Sequence, residues 1–200
     1  MYKKLRKHLI LGSLILIISG CSISKGYDTQ QEALKQGLKT TNNTELDKYN
    51  VLKHIIKIDG KIAFFVTPEN YISIADLEIE NGKWTVSGIT GATNVSELEV
   101  QDSGISPTMG ISNGKVISGY LKNPSISKVS YESTPGHIVD LDKFLPNETK
   151  YKGWSLWYVI LPNKLDDDLK SFDLITTVLE FKDTNGTIIK YKNRSSKNNF

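Results

Sequence analysis

The sequence predicts an α+β, mainly β fold: a short N-terminal helix on a four-stranded antiparallel meander, followed by a β-sandwich domain. One helical pattern precedes a series of segments that mostly alternate apolar and polar residues, as half-buried strands do. Dipeptides typical of tight hairpin turns separate these segments. They are Asp59-Gly60, Asn81-Gly82, Asn113-Gly114 and Asn185-Gly186.

The helix is predicted near residue 30. Asp28 or Thr29 can cap its first turn, and Gln31 or Glu32 can complete a capping box. A helix this short needs a packing partner, so we expect its apolar face to lie on the meander. The residues that share this face at helical spacing are Ala33, Leu34 and Leu38.

Four strands are predicted in the meander, at 51–58, 61–67, 71–80 and from Trp84 onward. Residues 94–109 are rich in Ser, Gly and Pro, which indicates a linker with one weak strand at 98–101.

Short strands return after the linker and predict a β-sandwich. The nearly continuous apolar run 154–161 is typical of a strand buried on both faces, and 174–182 is predicted as a later strand. The predicted parts of the chain are a signal peptide (1–20), a tether (21–27), a small α+β domain (28–93), the linker (94–109), the β-sandwich domain (110–192) and a polar tail (193–200).

The first twenty-one residues have the layout of an export signal. Residues 1–8 are basic and lack an acid, residues 9–18 form an apolar run, and Ser19 and Gly20 precede Cys21. A membrane-spanning helix needs about 20 apolar residues, so the short run favours a cleaved signal over an uncleaved N-terminal anchor.

The stretch Ile18-Ser19-Gly20-Cys21 resembles the lipobox of bacterial lipoproteins. The resemblance implies cleavage between Gly20 and Cys21, with S-diacylglycerol and an N-acyl chain such as palmitate on Cys21. It also implies a lipid-anchored protein at the cell membrane, facing outside the cytoplasm. Two or more acyl chains anchor a protein stably, so the first expected partner is the membrane itself.

The charge of the predicted mature part argues against a nucleic-acid partner. The chain has 25 basic and 22 acidic residues, and removing the four basic residues of the signal leaves 21 against 22. Nucleic-acid binding needs a clustered basic excess. Cys21 is the only cysteine, so no disulfide can form within the chain.

The folded part also resembles small uncharacterised lipoproteins of Bacillus-type Gram-positive bacteria. The resemblance covers most of residues 30–192 and implies an Ig-like sandwich in the second half. Because its motifs consist of turn and core residues, it implies no catalytic residue and no cofactor. The motifs are Glu32-Ala33-Leu34-Lys35, Asn81-Gly82-Lys83-Trp84, Gly110-Ile111-Ser112-Asn113, Ile126-x-Lys128-Val129, Leu156-Trp157-Tyr158 and Asp183-x-Asn185-Gly186-x-Ile188-Ile189.

Candidate metal ligands are sparse. His54 shares a strand face with apolar residues, which favours a packed histidine. His137 precedes Asp140 and Asp142, but His137 and Asp140 point to opposite faces of an extended chain. The acidic run 166–168 lacks the glycine and closing glutamate of a calcium loop. No metal site is predicted.

Three aromatic residues fall close together at Trp154, Trp157 and Tyr158. Alternation places Trp154 and Tyr158 on one face and Trp157 on the other. Core packing explains such residues, and a ligand platform on which a sugar or peptide stacks is the alternative.

No nucleophile elbow, phosphate loop or dinucleotide fingerprint occurs, so no enzyme is predicted. We expect a non-catalytic binding or interaction module whose partner is an envelope protein or the cell wall. The alternatives are a solute- or cell-wall-binding lipoprotein and an envelope hydrolase, which a deep pocket ringed by carboxylates would indicate.

Overall fold

The computed structural model of the protein describes residues 26–38, 52–145, 147–165 and 172–190. The predicted signal, the lipobox, most of the tether and the polar tail lie outside these residues. Among the described residues, no helix has both the length and the apolar character needed to span a membrane.

Twelve strands in the described part form three antiparallel sheets of four strands each. Sheet A comprises His54–Asp59 (β1), Ile62–Val66 (β2), Ile72–Glu80 (β3) and Lys83–Thr93 (β4). Sheets B and C take the remaining strands, which are Ile105–Ser112 (β5), Val116–Leu121 (β6), Ile126–Tyr131 (β7), Thr134–Pro135 (β8), His137–Asp140 (β9), Ser155–Ile160 (β10), Leu179–Asp183 (β11) and Ile188–Ile189 (β12).

The strand order is β1-β2-β3-β4 in sheet A, β5-β6-β10-β9 in sheet B and β12-β11-β7-β8 in sheet C. The predicted class, mainly β with a short helix and a four-stranded meander, is confirmed. The helical segments are Gln30–Glu32 (α1), which continues as a π-helical turn Ala33–Gly37, Leu141–Phe144 (α2), Phe172–Val178 (α3), and the 3-10 turns Val95–Glu97 and Thr149–Tyr151.

The N-terminal helix lies on the outer face of sheet A, as predicted. Thr29 caps it, and Thr29 and Glu32 form the reciprocal bonds of a capping box. The predicted apolar face is buried against the outward-facing residues of β2 and β3. The buried residues of this contact are Leu34, Leu38, Ala63, Phe65, Ala75 and Leu77, and Ala33 is also buried.

Sheet B lies between the other two sheets, and β10 is one of its two central strands. On one face of β10, Leu156 and Tyr158 pack with sheet A. On the other face, Trp157 and Val159 pack with sheet C. The prediction of a strand buried on both faces is confirmed, and its alternation places each side chain in one of two cores.

The predicted hairpin turns are confirmed. Each of the four dipeptides lies at the turn between two paired antiparallel strands. Asn81 and Gly82 both have positive φ, 51° and 76°, which is the backbone of a type I′ turn. An Asn-Gly pair adopts this conformation at little cost, whereas a β-branched pair would be strained.

The predicted strand 174–182 is wrong in its first half. Residues Phe172–Val178 form α3, and β11 begins at Leu179. Ile175, Val178 and Leu179 are spaced i, i+3, i+4, and all three contact the core between sheets B and C. This helical spacing outweighs the β preference of Thr176 and Thr177.

The predicted linker 94–109 contains regular structure. It begins with the 3-10 turn Val95–Glu97 and includes the start of β5. Residues 98–101 are described and do not form the predicted weak strand. Val95 is fully buried in the core shared by sheets A and B. The division into two domains remains a prediction, but residues from both halves contribute to this one core.

The start of the described chain pairs with the edge of sheet A. Tyr27 and Trp84 exchange two backbone hydrogen bonds of 2.8 and 2.7 Å. The Lys83 ammonium forms an ion pair with Asp28. A Cβ atom on Gly26 would lie 2.3 Å from the Lys83 Cβ atom, so this approach requires glycine. The predicted tether therefore meets the fold beside the β3–β4 turn.

Candidate functional site

A cleft of about 450 Å³ opens where the turns of sheets A and B meet. Sheet A contributes the β1–β2 turn and the end of β3, and sheet B contributes the β5–β6 turn and the segment after β10. The cleft is lined by Asp59, Gly60, Lys61, Ile62, Asp76, Leu77, Glu78, Asn113, Lys115, Val116, Ile160, Leu161 and Lys164.

Backbone hydrogen bonds fix the turns that form the cleft. Leu77 donates its N–H to the Lys61 carbonyl at 2.7 Å, which holds the β1–β2 turn against β3. On the opposite wall, Leu165 donates to the Gly114 carbonyl at 2.7 Å. Lys164 is therefore held close to the β5–β6 turn, which carries Lys115.

The acidic wall follows from the alternation of β3. Ile72 and Ile74 face sheet B and lie in the core between the two sheets. The next residues of the same parity are Asp76 and Glu78, which line the cleft. The inner face of sheet A thus changes from apolar to acidic where the sheets stop packing against each other.

Asp76 is the most unusual residue of the site because it is a carboxylate only 8% exposed. The Ser112 Oγ lies 3.2 Å from each of its carboxylate oxygens and 3.2 Å from the Thr90 Oγ1. Asp76 faces Gly88, next to an irregularity in the β3–β4 register. Such irregularities re-aim neighbouring side chains and often occur beside functional sites.

The pKa of Asp76 lies above its usual range. Burial is the main cause, because it disfavours the charged carboxylate. The Ser112 hydrogen bond lowers the pKa, the Glu78 charge raises it and the Lys164 charge lowers it, in decreasing order of effect. The carboxylate is thus poorly compensated within the protein.

The basic wall lies across the cleft on the segments that adjoin sheet B, where Lys115 and Lys164 are both exposed. Within the described chain, neither of these lysines lies within 4 Å of a carboxylate oxygen. Lys61 and Glu78 also have no ion-pair partner among the described residues. Opposite charges therefore face each other across the cleft without touching.

Asp59 connects the cleft to a buried tyrosine. The Tyr158 hydroxyl donates a 2.7 Å hydrogen bond to Asp59 Oδ2. The His137 ring stacks on Tyr158 with centroids 4.9 Å apart, and its Nε2 lies 3.8 Å from the same Asp59 oxygen. Burial, followed by the bond to Asp59, holds the pKa of the Tyr158 hydroxyl above its usual range, so Tyr158 remains a donor.

The three predicted aromatic residues belong to the core. Trp157 and Tyr158 are fully buried and Trp154 is 5% exposed. Their burial argues against a ligand platform at Trp154, Trp157 and Tyr158, because stacking requires an open ring face. Tyr158 still supports the candidate site indirectly, through its bond to Asp59.

The candidate metal ligands are not brought together. Among the described residues, no group of three or more His, Cys, Asp or Glu side chains could hold a metal ion. His137 lies beside Asp59 rather than with Asp142, whose carboxylate accepts from the Gly153 N–H. The acidic run 166–168 and the predicted lipidation site at Gly20 and Cys21 lie outside the described residues.

Sequence reasoning did not identify Asp76, Glu78, Lys115 and Lys164 as a group. A weak signal was present, because an aspartate interrupts the apolar positions 72 and 74 of a strand whose inward face should remain apolar. The convergence of the two hairpin turns depends on how sheets A and B stack, and no local pattern encodes that arrangement.

The chain matches no protein-family model, no curated protein and no solved structure.

Proposed function

We propose that this protein is a lipid-anchored extracytoplasmic binding module of a bacterial envelope, without catalytic activity. The lipobox-like Ile18-Ser19-Gly20-Cys21 supports the anchor. The observation that carries the binding role is the cleft, whose volume of about 450 Å³ falls in the range typical of small-molecule sites.

The composition of the cleft supports binding over covalent catalysis. None of the described residues that line it is a serine, cysteine or histidine, which are the commonest nucleophiles and bases. Asp59 accepts a hydrogen bond from the Tyr158 hydroxyl and Asp76 accepts one from the Ser112 hydroxyl, so protein groups hold both carboxylates in place. The charged groups are thus arranged to bind a polar solute.

Two measurements test this function. Mass spectrometry of the N-terminal peptide from native membranes should show diacylglycerol on Cys21, and Cys21→Ser should abolish lipid attachment. Affinity capture from detergent-solubilised membranes should retain a specific envelope protein or cell-wall fragment with the wild type. Loss of that material in a Glu78→Gln, Lys115→Met double variant would place the contact at the cleft. An unmodified thiol at Cys21 would contradict the anchor.

A second candidate, an envelope hydrolase, is favoured by one observation. The cleft carries three carboxylates, and a raised pKa such as that of Asp76 suits a general acid. Turnover of a glycan or peptide substrate by the purified protein, abolished in Asp76→Asn, would establish this candidate and overturn the non-catalytic proposal.

A further inference from the structure

The two walls of the cleft differ in charge. The sheet A wall carries Asp59, Asp76 and Glu78 beside Lys61, whereas Lys115 and Lys164 lie on the turn and the segment that adjoin sheet B. A ligand with only negative charge would meet the carboxylates, and one with only positive charge would meet the lysines. Such like-charge contacts discriminate against either ligand.

Apolar residues line the space between the charged groups. Ile62, Val116 and Ile160 lie along the inner faces of the two sheets and contribute to the cleft. A suitable ligand therefore has a cationic end, an anionic end and a body with short apolar groups. Asn113 adds an amide that can bond to a peptide group.

Asp76 supplies the strongest reason for a cationic end. Its side chain is buried, yet the only hydrogen-bond donor that the described chain brings to its carboxylate is the Ser112 hydroxyl. A carboxylate can accept about four hydrogen bonds. An ammonium group entering from the cleft would supply donors and a compensating charge.

We propose that the cleft binds a short peptide with free termini, its ammonium group against Asp76 and Glu78 and its carboxylate against Lys115 and Lys164. This inference rests on the proposed binding function and names the ligand class of the same site. It does not depend on the lipid anchor, since the cleft lies within the folded part.

Binding of trialanine to the full-length protein in detergent micelles tests the proposal by calorimetry. Trialanine should bind saturably at millimolar concentration or below. N-acetyl-trialanine and trialanine amide, which each lack one charge, should each bind about tenfold more weakly, because each loses a charge-assisted contact. Equal affinity for all three peptides, or no saturable binding of trialanine, would overturn the proposal.

Variants assign the two ends of the peptide. Glu78→Gln should weaken binding of trialanine and of the amide, which keeps its ammonium group, but should little affect the N-acetyl peptide. Lys115→Met should show the reverse preference. Both residues are exposed, so these variants should fold, and Lys152→Met on the surface is the matched control. Identical effects of both substitutions on all three peptides would contradict the assigned orientation.

The outcomes separate this inference from the proposed function. Lipid on Cys21 and capture of an envelope component, without binding of trialanine, would refute the ligand class and leave the binding module intact. Cleavage of trialanine during titration would instead refute the non-catalytic function.

Discussion

Gly119 shows how tightly one residue position is constrained in the middle sheet. It lies on β6 opposite Trp157 of β10. A Cβ atom at Gly119 would lie 2.7 to 2.9 Å from three atoms of the indole ring, which is fully buried. The indole packs edge-on against Phe181 of sheet C, with ring centroids 5.3 Å apart, so it has little room to move.

We therefore expect Gly119→Ala to lower the free energy of unfolding by about 1–3 kcal/mol, the usual cost of overpacking a core. Gly110→Ala on the neighbouring strand is the matched control, because its Cβ would meet only the Ser118 Oγ, at 3.5 Å. Urea denaturation of both variants measures the difference. Equal stabilities would show that the Trp157 ring can shift freely.

Asp76 should make stability depend on pH. Its pKa is raised in the folded state, so above the ordinary aspartate pKa the folded state holds the proton more tightly than the unfolded state does. The protonated Asp76 carboxyl contributes its full stabilisation below about pH 4. This stabilisation is lost as the pH rises through the raised pKa of Asp76 in the folded state.

Asp76→Asn removes this titration, so the wild type should lose stability relative to the variant as the pH rises from about 4. Urea denaturation across this pH range measures the effect. In Ser112→Ala the loss of stability should continue to a higher pH than in the wild type, because this variant lacks the Ser112 hydrogen bond that lowers the pKa of Asp76. Parallel pH profiles of wild type and Asp76→Asn would refute this account.

At the scale of the elements, β10 packs against both neighbouring sheets. Its side chains enter both cores, and Tyr158 links it to β1 of sheet A through Asp59. The Tyr158 ring also contacts Phe64, with centroids 4.7 Å apart. The strand therefore joins sheets A and B by both apolar packing and one hydrogen bond to a carboxylate.

Tyr158→Phe should preserve the ring contacts but lower the free energy of unfolding by about 1.5–3 kcal/mol, the range for hydrogen bonds to charged groups. Tyr131→Phe is the control. Tyr131 is also buried, and no described residue accepts its hydroxyl in a side-chain hydrogen bond. Thermal denaturation compares the two variants, and similar melting temperatures would contradict the assigned role of the Asp59 bond.

Elements with one strong local signal were predictable from sequence. Asn81-Gly82 determined its hairpin, and the apolar run 154–161 identified β10. Element α3 was missed because Thr176 and Thr177 favour strands, while its helical spacing becomes decisive only against the core. The start of β5 was missed because its Ser and Pro residues also suit a linker.

At the scale of the whole molecule, sheets A and B are joined at both ends. Near the cleft the joint is the bond between Tyr158 and Asp59. At the opposite end Lys53 forms an ion pair with Glu148, and the Tyr151 hydroxyl donates to the Asn70 carbonyl at 2.6 Å. A continuous apolar core lies between these joints.

We expect the two halves to unfold in one transition, because neither can expose its share of this core without the other. Far-UV circular dichroism reports all strands. Fluorescence of a Trp84→Phe variant reports mainly Trp154 and Trp157 of the second half. The urea midpoints of that variant by both methods should coincide, and two separated midpoints would support independent domains instead.

The candidate site was less predictable than the fold. Sequence alternation placed Asp76 on the inner face of β3, and Lys115 lay beside a recognisable turn. Their meeting across a cleft depends on the stacking of two sheets formed by distant segments. The aromatic cluster at 154–158 has residue types that are common in ligand sites, but its residues are buried and belong to the core.

For the proposed lipid-anchored protein, the pairing of Tyr27 with Trp84 determines which rim of the fold would lie near the bilayer. Only residues 21–25 separate the proposed lipid from Gly26, and five extended residues span at most about 18 Å. Strand β3 alone, with nine residues, is about 30 Å long. With the proposed lipid on Cys21, this short segment would hold the rim beside the β3–β4 turn near the membrane, and the cleft at this rim would bind its ligands in the layer of water next to the phospholipid headgroups.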